Sequence, residues 1–115
     1  MKDGRLREIW RTMDGPAIKR EVVIGDRDPL GLHLRPAELF AKLALKFESD
    51  IEVIRGSLRV DAKSIMHVLT LGADPGTQLT IEARGPDAQQ AVDALARLVE
   101  RDFVSDESMS QGQSG

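Results

Sequence analysis

The chain contains no cysteine, which removes a disulfide framework and thiolate metal sites from consideration at once. Aromatic residues are nearly as scarce: one tryptophan, three phenylalanines and no tyrosine. Platforms that stack nucleic-acid bases need such rings, and the net charge of −3 also speaks against nucleic acid as a partner. No apolar run approaches the roughly 20 residues needed to span a bilayer. The start, Met1-Lys2-Asp3-Gly4-Arg5, lacks the apolar core of a signal peptide. The expectation is a cytoplasmic protein with no membrane part.

What is present suits a single domain. A length of 115 residues supports one core and not two, and 41% hydrophobic with 30% charged residues is the balance of a soluble globular fold. Charge is unevenly spread. Residues 1 to 20 hold six basic side chains (Lys2, Arg5, Arg7, Arg11, Lys19, Arg20) against three acidic ones (Asp3, Glu8, Asp14), a net of +3, and the rest of the chain carries −6.

Three zones separate. Residues 1–17 form an extension closed by the breaker Asp14-Gly15-Pro16, in which Leu6, Ile9, Trp10 and Met13 fit one face of a short amphipathic helix. Residues 104–115, rich in Ser, Gly and Gln, read as a disordered tail. Between them, 18–103 alternates strands and helices. The first strand runs from Ile18 to Gly25 with Val22 and Ile24 on one face, and a Pro/Gly loop over 26–31 follows. A helix from Leu34 to Phe47 has Pro36 in its first turn, where a missing N–H costs nothing, and a stripe of Leu39, Phe40, Leu43, Ala44 and Phe47.

Ile51 and Val53, then Leu58, Val60 and Ala62, alternate on either side of Arg55-Gly56-Ser57, a hairpin pattern. A brief segment from Ile65 to Leu71 suits two helical turns capped by the Ser64 hydroxyl. Leu79, Ile81 and Ala83 alternate as a fourth strand. Asp87, in the first turn of a last helix, complements its dipole; Ala88, Ala91, Val92, Leu95, Leu98 and Val99 form that helix's apolar face. The order β-α-β-β-α-β-α predicts one antiparallel or mixed sheet with helices on one side, an α+β arrangement.

Of the two histidines, His33 is the informative one. It lies in Gly31-Leu32-His33-Leu34-Arg35-Pro36-Ala37, directly before a helix whose N-terminal N–H groups form an anion site. Arg35 offers a planar fork of donors suited to a phosphoryl group. An imidazole with a reference pKa of about 6.5 is largely neutral and nucleophilic near pH 7. A histidine at a helix start is ordinarily a plain surface residue, so chemistry alone leaves both readings open. No second acid or base and no metal-ligand set accompanies His33, so no cofactor or metal is assigned, and a carrier fits better than an independent enzyme.

The run Gly-Leu-His-x-Arg-Pro-Ala resembles the active-site motif of HPr, the histidine phosphocarrier of the bacterial phosphotransferase system. The resemblance continues through Phe47-Glu48-Ser49-Asp50-Ile51, Ala62-Lys63-Ser64-Ile65-Met66, Leu71-Gly72-Ala73 and Gly85-Pro86-Asp87-Ala88, in order and at matching spacing over about 18–103. It implies an open-faced β-sandwich, a four-stranded antiparallel sheet covered on one side by three helices. It implies that His33 takes a phosphoryl group on Nδ1 from phospho-enzyme I at the expense of phosphoenolpyruvate, with Arg35 steadying the group and Pro36 fixing the helix start. Ile65, Met66 and Leu69 would then form an apolar docking patch for enzyme I and the A domains of enzymes II. Ser64 matches the regulatory position phosphorylated by HPr kinase/phosphorylase, although Ser is a favoured cap whether or not it is modified.

The chain departs from the family pattern at two positions and at its ends, where the basic extension (1–17) and the Ser-rich tail lie outside the usual family length and nothing assigns them a role. His67 stands where regulated members usually have Gly, and it is expected to be a solvent-facing helix residue. Leu34 replaces a smaller residue between the His and the Arg. Two functions follow: a monomeric phosphocarrier, or a regulatory binding module of a nitrogen-type relay or catabolite control that acts mainly through Ser64. Only the first needs His33.

Overall fold

The computed structural model describes residues 17–26 and 31–104. The amphipathic helix around Trp10, the breaker at 14–16, most of the Pro/Gly loop (27–30) and the tail beyond Val104 lie outside the described residues. The elements are β1 (Ile18–Val23), α1 (Leu34–Ala44), β2 (Asp50–Arg55), β3 (Leu58–Asp61), α2 (Ile65–Leu69), β4 (Gln78–Arg84) and α3 (Ala88–Glu100). Among the described residues no helix is long and apolar enough to cross a membrane.

The strands make one sheet in the order β1-β4-β2-β3, antiparallel throughout. β4, the last strand in sequence, therefore lies inside the sheet, between β1 and β2. The register sets Val22 opposite Leu79, and Val53 opposite both Ile81 and Val60. Successive side chains in a strand point to opposite faces, so these residues share one face with Ile51 and Ala83, and all of them are buried. The helices cover this face. α3 lies along β1 and β4, and α2 packs on α1.

α3 follows its sequence pattern. Ala88, Ala91, Val92, Leu95, Leu98 and Val99 are all buried, joined by Ala96. α1 differs in detail. Its buried line is Pro36, Ala37, Phe40, Ala41 and Ala44, while Leu39, Leu43 and Phe47 only pack against the core's edge. Alanines at the contact let the helix sit close, and the longer residues fill the flanks. The helix also ends at Ala44, three residues before the expected Phe47. The chain tightens there into i→i−3 bonds from Lys46 N to Leu43 O (3.1 Å) and from Phe47 N to Ala44 O (3.2 Å), a common way for a helix to finish.

Two further boundaries shift. β1 ends at Val23 rather than Gly25. Arg55 belongs to β2, paired with Leu58, so Gly56 and Ser57 alone close the hairpin as a two-residue loop. Leu58, at this tip, is 42% exposed because the helical cover does not reach it.

The uncovered face carries charge. Lys19, Glu82, Glu52 and Asp61 stand in one row across the four strands. Glu82 is only 4% exposed on this face, roofed by Arg59 at 3.2 Å and Arg84 at 3.1 Å. Hydrogen bonds to Glu52 and then Glu82 raise the Arg59 pKa further above its ordinary value.

Asp87 does something other than capping by its side chain. It occupies the N-cap of α3 without a side-chain bond to the helix. Its carboxylate instead accepts from Glu48 N at 2.9 Å, Ser49 N at 3.0 Å and Ser49 Oγ at 2.6 Å. Ser49 Oγ accepts in turn from Asp87 N at 3.2 Å, and Ser49 is completely buried. Gly85 lets the two segments meet. Its φ is +143°, and a Cβ there would lie 2.6 Å from Ser49 Oγ. The α1–β2 connection is thus tied to the start of α3.

Burial pushes the Asp87 carboxyl pKa up, but the bonds from the Ser49 hydroxyl and from the amides of Glu48, Ser49 and Asp87 itself outweigh it and leave it below the usual value. A carboxyl depressed in the folded state contributes stability that is complete above the unfolded pKa of about 3.9 and is lost as pH falls through the lower folded value. Asp87→Ala should cost about 2–3 kcal/mol, the scale of charged hydrogen bonds whose partners become unsatisfied. Denaturant melts at neutral pH test this. Asp87→Asn should also flatten the loss of stability on acidification below about pH 4.

Candidate phosphoryl site and docking helix

His33 is the N-cap of α1, with extended backbone (φ −104°, ψ −166°). Its carbonyl accepts the first helical bond from Ala37 N at 2.9 Å, while its side chain makes no capping bond to the helix. The imidazole is half-buried. What holds the residue in place lies just before it. Leu32 is 6% exposed within the core, and its N–H donates to Ala73 O at 2.9 Å. Gly31 has φ +65°, and a Cβ there would come within 2.5 Å of Ala73 O, so no larger residue fits this approach. The loop before His33 is therefore fastened to the segment that follows α2.

Pro36 supplies no N–H and is buried, so the first-turn amides that α1 can aim outward are those of Leu34 and Arg35. Arg35 is exposed. The helix begins at Leu34, which leaves Pro36 in the first turn, where no N–H is needed. An imidazole, two outward amides, the positive end of an eleven-residue helix and a guanidinium two residues along make a shallow, water-facing anion site.

α2 is five residues long, too short to stand alone, and its start is held by side chains. Ser64 Oγ accepts from His67 N at 3.3 Å, the expected cap. Lys63 Nζ reaches Phe47 O at 2.7 Å, fixing the approach to the helix. Of the expected docking residues, Met66 is 70% exposed, while Ile65 and Leu69 are half-buried and lean on the core. Leu34, 60% exposed, adds an apolar group beside His33. His67 is exposed. Sequence patterns do not reveal Lys63 or Ala73 as supports of this region, because each acts through a long-range bond that involves a backbone carbonyl.

Known proteins resemble this whole arrangement. The family model described as "PTS HPr component phosphorylation site" matches residues 18–101. The phosphocarrier protein HPr of Mycoplasma capricolum is 46% identical over 72 residues, covering 63% of this chain and 81% of that protein. The crystal structure of HPr-C-His from Thermoanaerobacter tengcongensis superposes with a TM-score of 0.69 at 37% identity, over 75% of this chain and 94% of that one. Crh, a Bacillus subtilis catabolite-repression protein whose crystal structure is described as a swapped, intertwined dimer, gives a TM-score of 0.60 at 36% identity, over 71% of this chain and 94% of that one. The chain belongs to the HPr family of phosphocarrier proteins.

The Ser64 cap has a measurable consequence. Its bond to His67 N is long, so Ser64→Ala should cost about 0.5–1 kcal/mol, the lower part of the range for lost caps. Ser64→Asp should be close to neutral, because Asp caps as well. Equilibrium unfolding of both variants checks this.

Proposed function

We propose that this chain takes a phosphoryl group on His33 from phospho-enzyme I, charged by phosphoenolpyruvate, and passes it to enzyme II A domains in the cytoplasm. The supporting observation is the placement of His33 at the start of α1, with its imidazole not engaged in capping and Arg35 exposed two residues on. In the forward step a lone pair on the His33 imidazole attacks phosphorus in line. The bond from phosphorus to the donor breaks as the new P–N bond forms, and the donor keeps the electron pair. The reverse sequence delivers the group to the acceptor. Arg35 and the amides of Leu34 and Arg35 balance charge on the phosphoryl oxygens. The carrier domain is 18–103 and the working form is one chain, although a swapped dimer is the form described for Crh.

Incubation with phosphoenolpyruvate and enzyme I should give an acid-labile phosphoprotein, and His33→Ala should take no such label. An equal label on that variant sinks the assignment. Arg35→Ala should change stability by no more than about 0.5 kcal/mol, as exposed residues do, while slowing transfer by about tenfold or more through loss of charge-assisted bonds.

Ser64 carries a second role in this reading, as the target of an ATP-dependent HPr kinase. The run Lys63-Ser64-Ile65-Met66, which resembles the form of regulated members, is what favours it, and a regulatory module acting mainly through Ser64 is the rival to the relay. A phosphate adds roughly −2 charge at the docking patch. Ser64→Asp should therefore slow labelling of His33 by enzyme I while leaving stability unchanged. Labelling at the parent's rate, together with a kinase that leaves the parent unmodified, reduces Ser64 to a cap.

A further inference from the structure

α2 presents the most exposed apolar side chain of the docking region, yet it has only five residues. Its last carbonyls have no partner within the helix, and the chain leaves it through single turns, from Leu71 N to Val68 O at 3.1 Å and from Gly72 N to Leu69 O at 3.2 Å. Thr70, the C-cap, donates its N–H and its hydroxyl to His67 O, and the segment just past this cap is held by a side chain from elsewhere. Arg55, the last residue of β2, sends Nη1 to Leu71 O and, at 3.1 Å, to Gly72 O. Leu71 is 1% exposed, so its carbonyl would be poorly hydrated without that donor. Arg55 shares the helix-covered side of the sheet with Ile51 and Val53 by strand alternation. It sits at the hairpin tip where the cover has run out, so its charge meets water and carbonyls rather than the core.

We propose that Arg55 is a positioning residue for docking: it holds the segment by which the chain leaves the C-terminal end of α2, where Ser64 caps the N-terminal end, and so sets how tightly the chain engages its phosphoryl donor. This rests on the relay reading above. Arg55 touches neither phosphoryl group nor donor in this account. It acts through the pose of Met66 and Leu69. The loop before His33 is fastened to Ala73, one residue past Gly72, but the buried Leu32 side chain holds it as well, so loss of Arg55 should disturb docking far more than the chemical step. A methionine in place of Arg55 keeps an unbranched stem over the first part of the side chain and removes both bonds. A lysine restores one donor to the carbonyls.

Two measurements on the full chain test this. Hydrogen exchange at Val68 and Thr70, whose amides donate to Ser64 O and Met66 O, should quicken about tenfold in Arg55→Met, the effect of losing one charged hydrogen bond. Exchange in β4 should be unchanged. In phosphoenolpyruvate-driven labelling by enzyme I, KM for the Arg55→Met chain should rise about three- to tenfold with kcat within about twofold of the parent. Arg55→Lys should recover most of the change. Unaltered exchange in α2, an unaltered KM, or a fall in kcat alone overturns the proposal. A parent chain that takes no label at all overturns the relay reading itself, a result separate from any comparison of variant with parent.

Discussion

Helices cover one face of this sheet and leave the other to water, and that one-sidedness decides where everything else can be. Buried apolar side chains alternate along each strand toward the helices, while the outward row of Lys19, Glu82, Glu52 and Asp61 balances its charges in the plane of the sheet. A row of carboxylates without Arg59 and Arg84 would repel itself. With them, Glu82 tolerates being 4% exposed, since a charge removed from water needs partners of opposite sign. The proposed phosphoryl site lies on the other side, at the rim of the helix-covered layer, where helix starts and loops meet solvent.

At that rim a few long-range polar anchors replace hydrophobic burial. Asp87 ties the α1–β2 connection to α3, Leu32 N ties the loop before His33 to Ala73, and Lys63 and Arg55 tie both ends of the α2 region to distant elements. Each uses a backbone carbonyl or amide outside the regular elements. Helices of five residues and loops around a positive-φ glycine gain little from packing, so directional bonds are what give them a single pose.

This division explains what could be read from sequence and what could not. Element order, the cover face of α3, the capping Ser64 and the placement of His33 at a helix start all follow from local rules: periodicity, cap chemistry and the tolerance of Pro in a first turn. The errors lie where tertiary contacts override local preference. Phe47 extends the apparent stripe of α1, but the helix stops at Ala44 because the next residues must turn toward Asp87. Leu58 alternates correctly yet is exposed, since alternation says which face a residue takes and not how far the cover extends. Arg55 reads as a turn residue flanking Gly56, although it is paired in β2 and reaches to the end of α2. The side chain of Asp87 looks like a dipole partner for α3 and proves to be a clamp. None of these bonds leaves a periodic trace.

The shallowness of the site at His33 suits the proposed relay on physical grounds. A helix N-terminus stabilises an anion by only about 0.3–1 kcal/mol where water screens it, and Arg35 is exposed enough to swing between water and phosphate. A deeper pocket with several buried donors would hold a phosphoryl group more firmly and would slow its release to the next protein. It would also bar the in-line approach of a donor on one occasion and an acceptor on the next. A carrier that exchanges partners needs the reacting nitrogen fixed and the surroundings open. Here the backbone before His33 is rigid, through the buried Leu32 and the glycine that only fits at position 31, while the side chains after it face water. Precision in this arrangement comes from the chain that leads into the histidine, and accessibility comes from the chain that leads out of it.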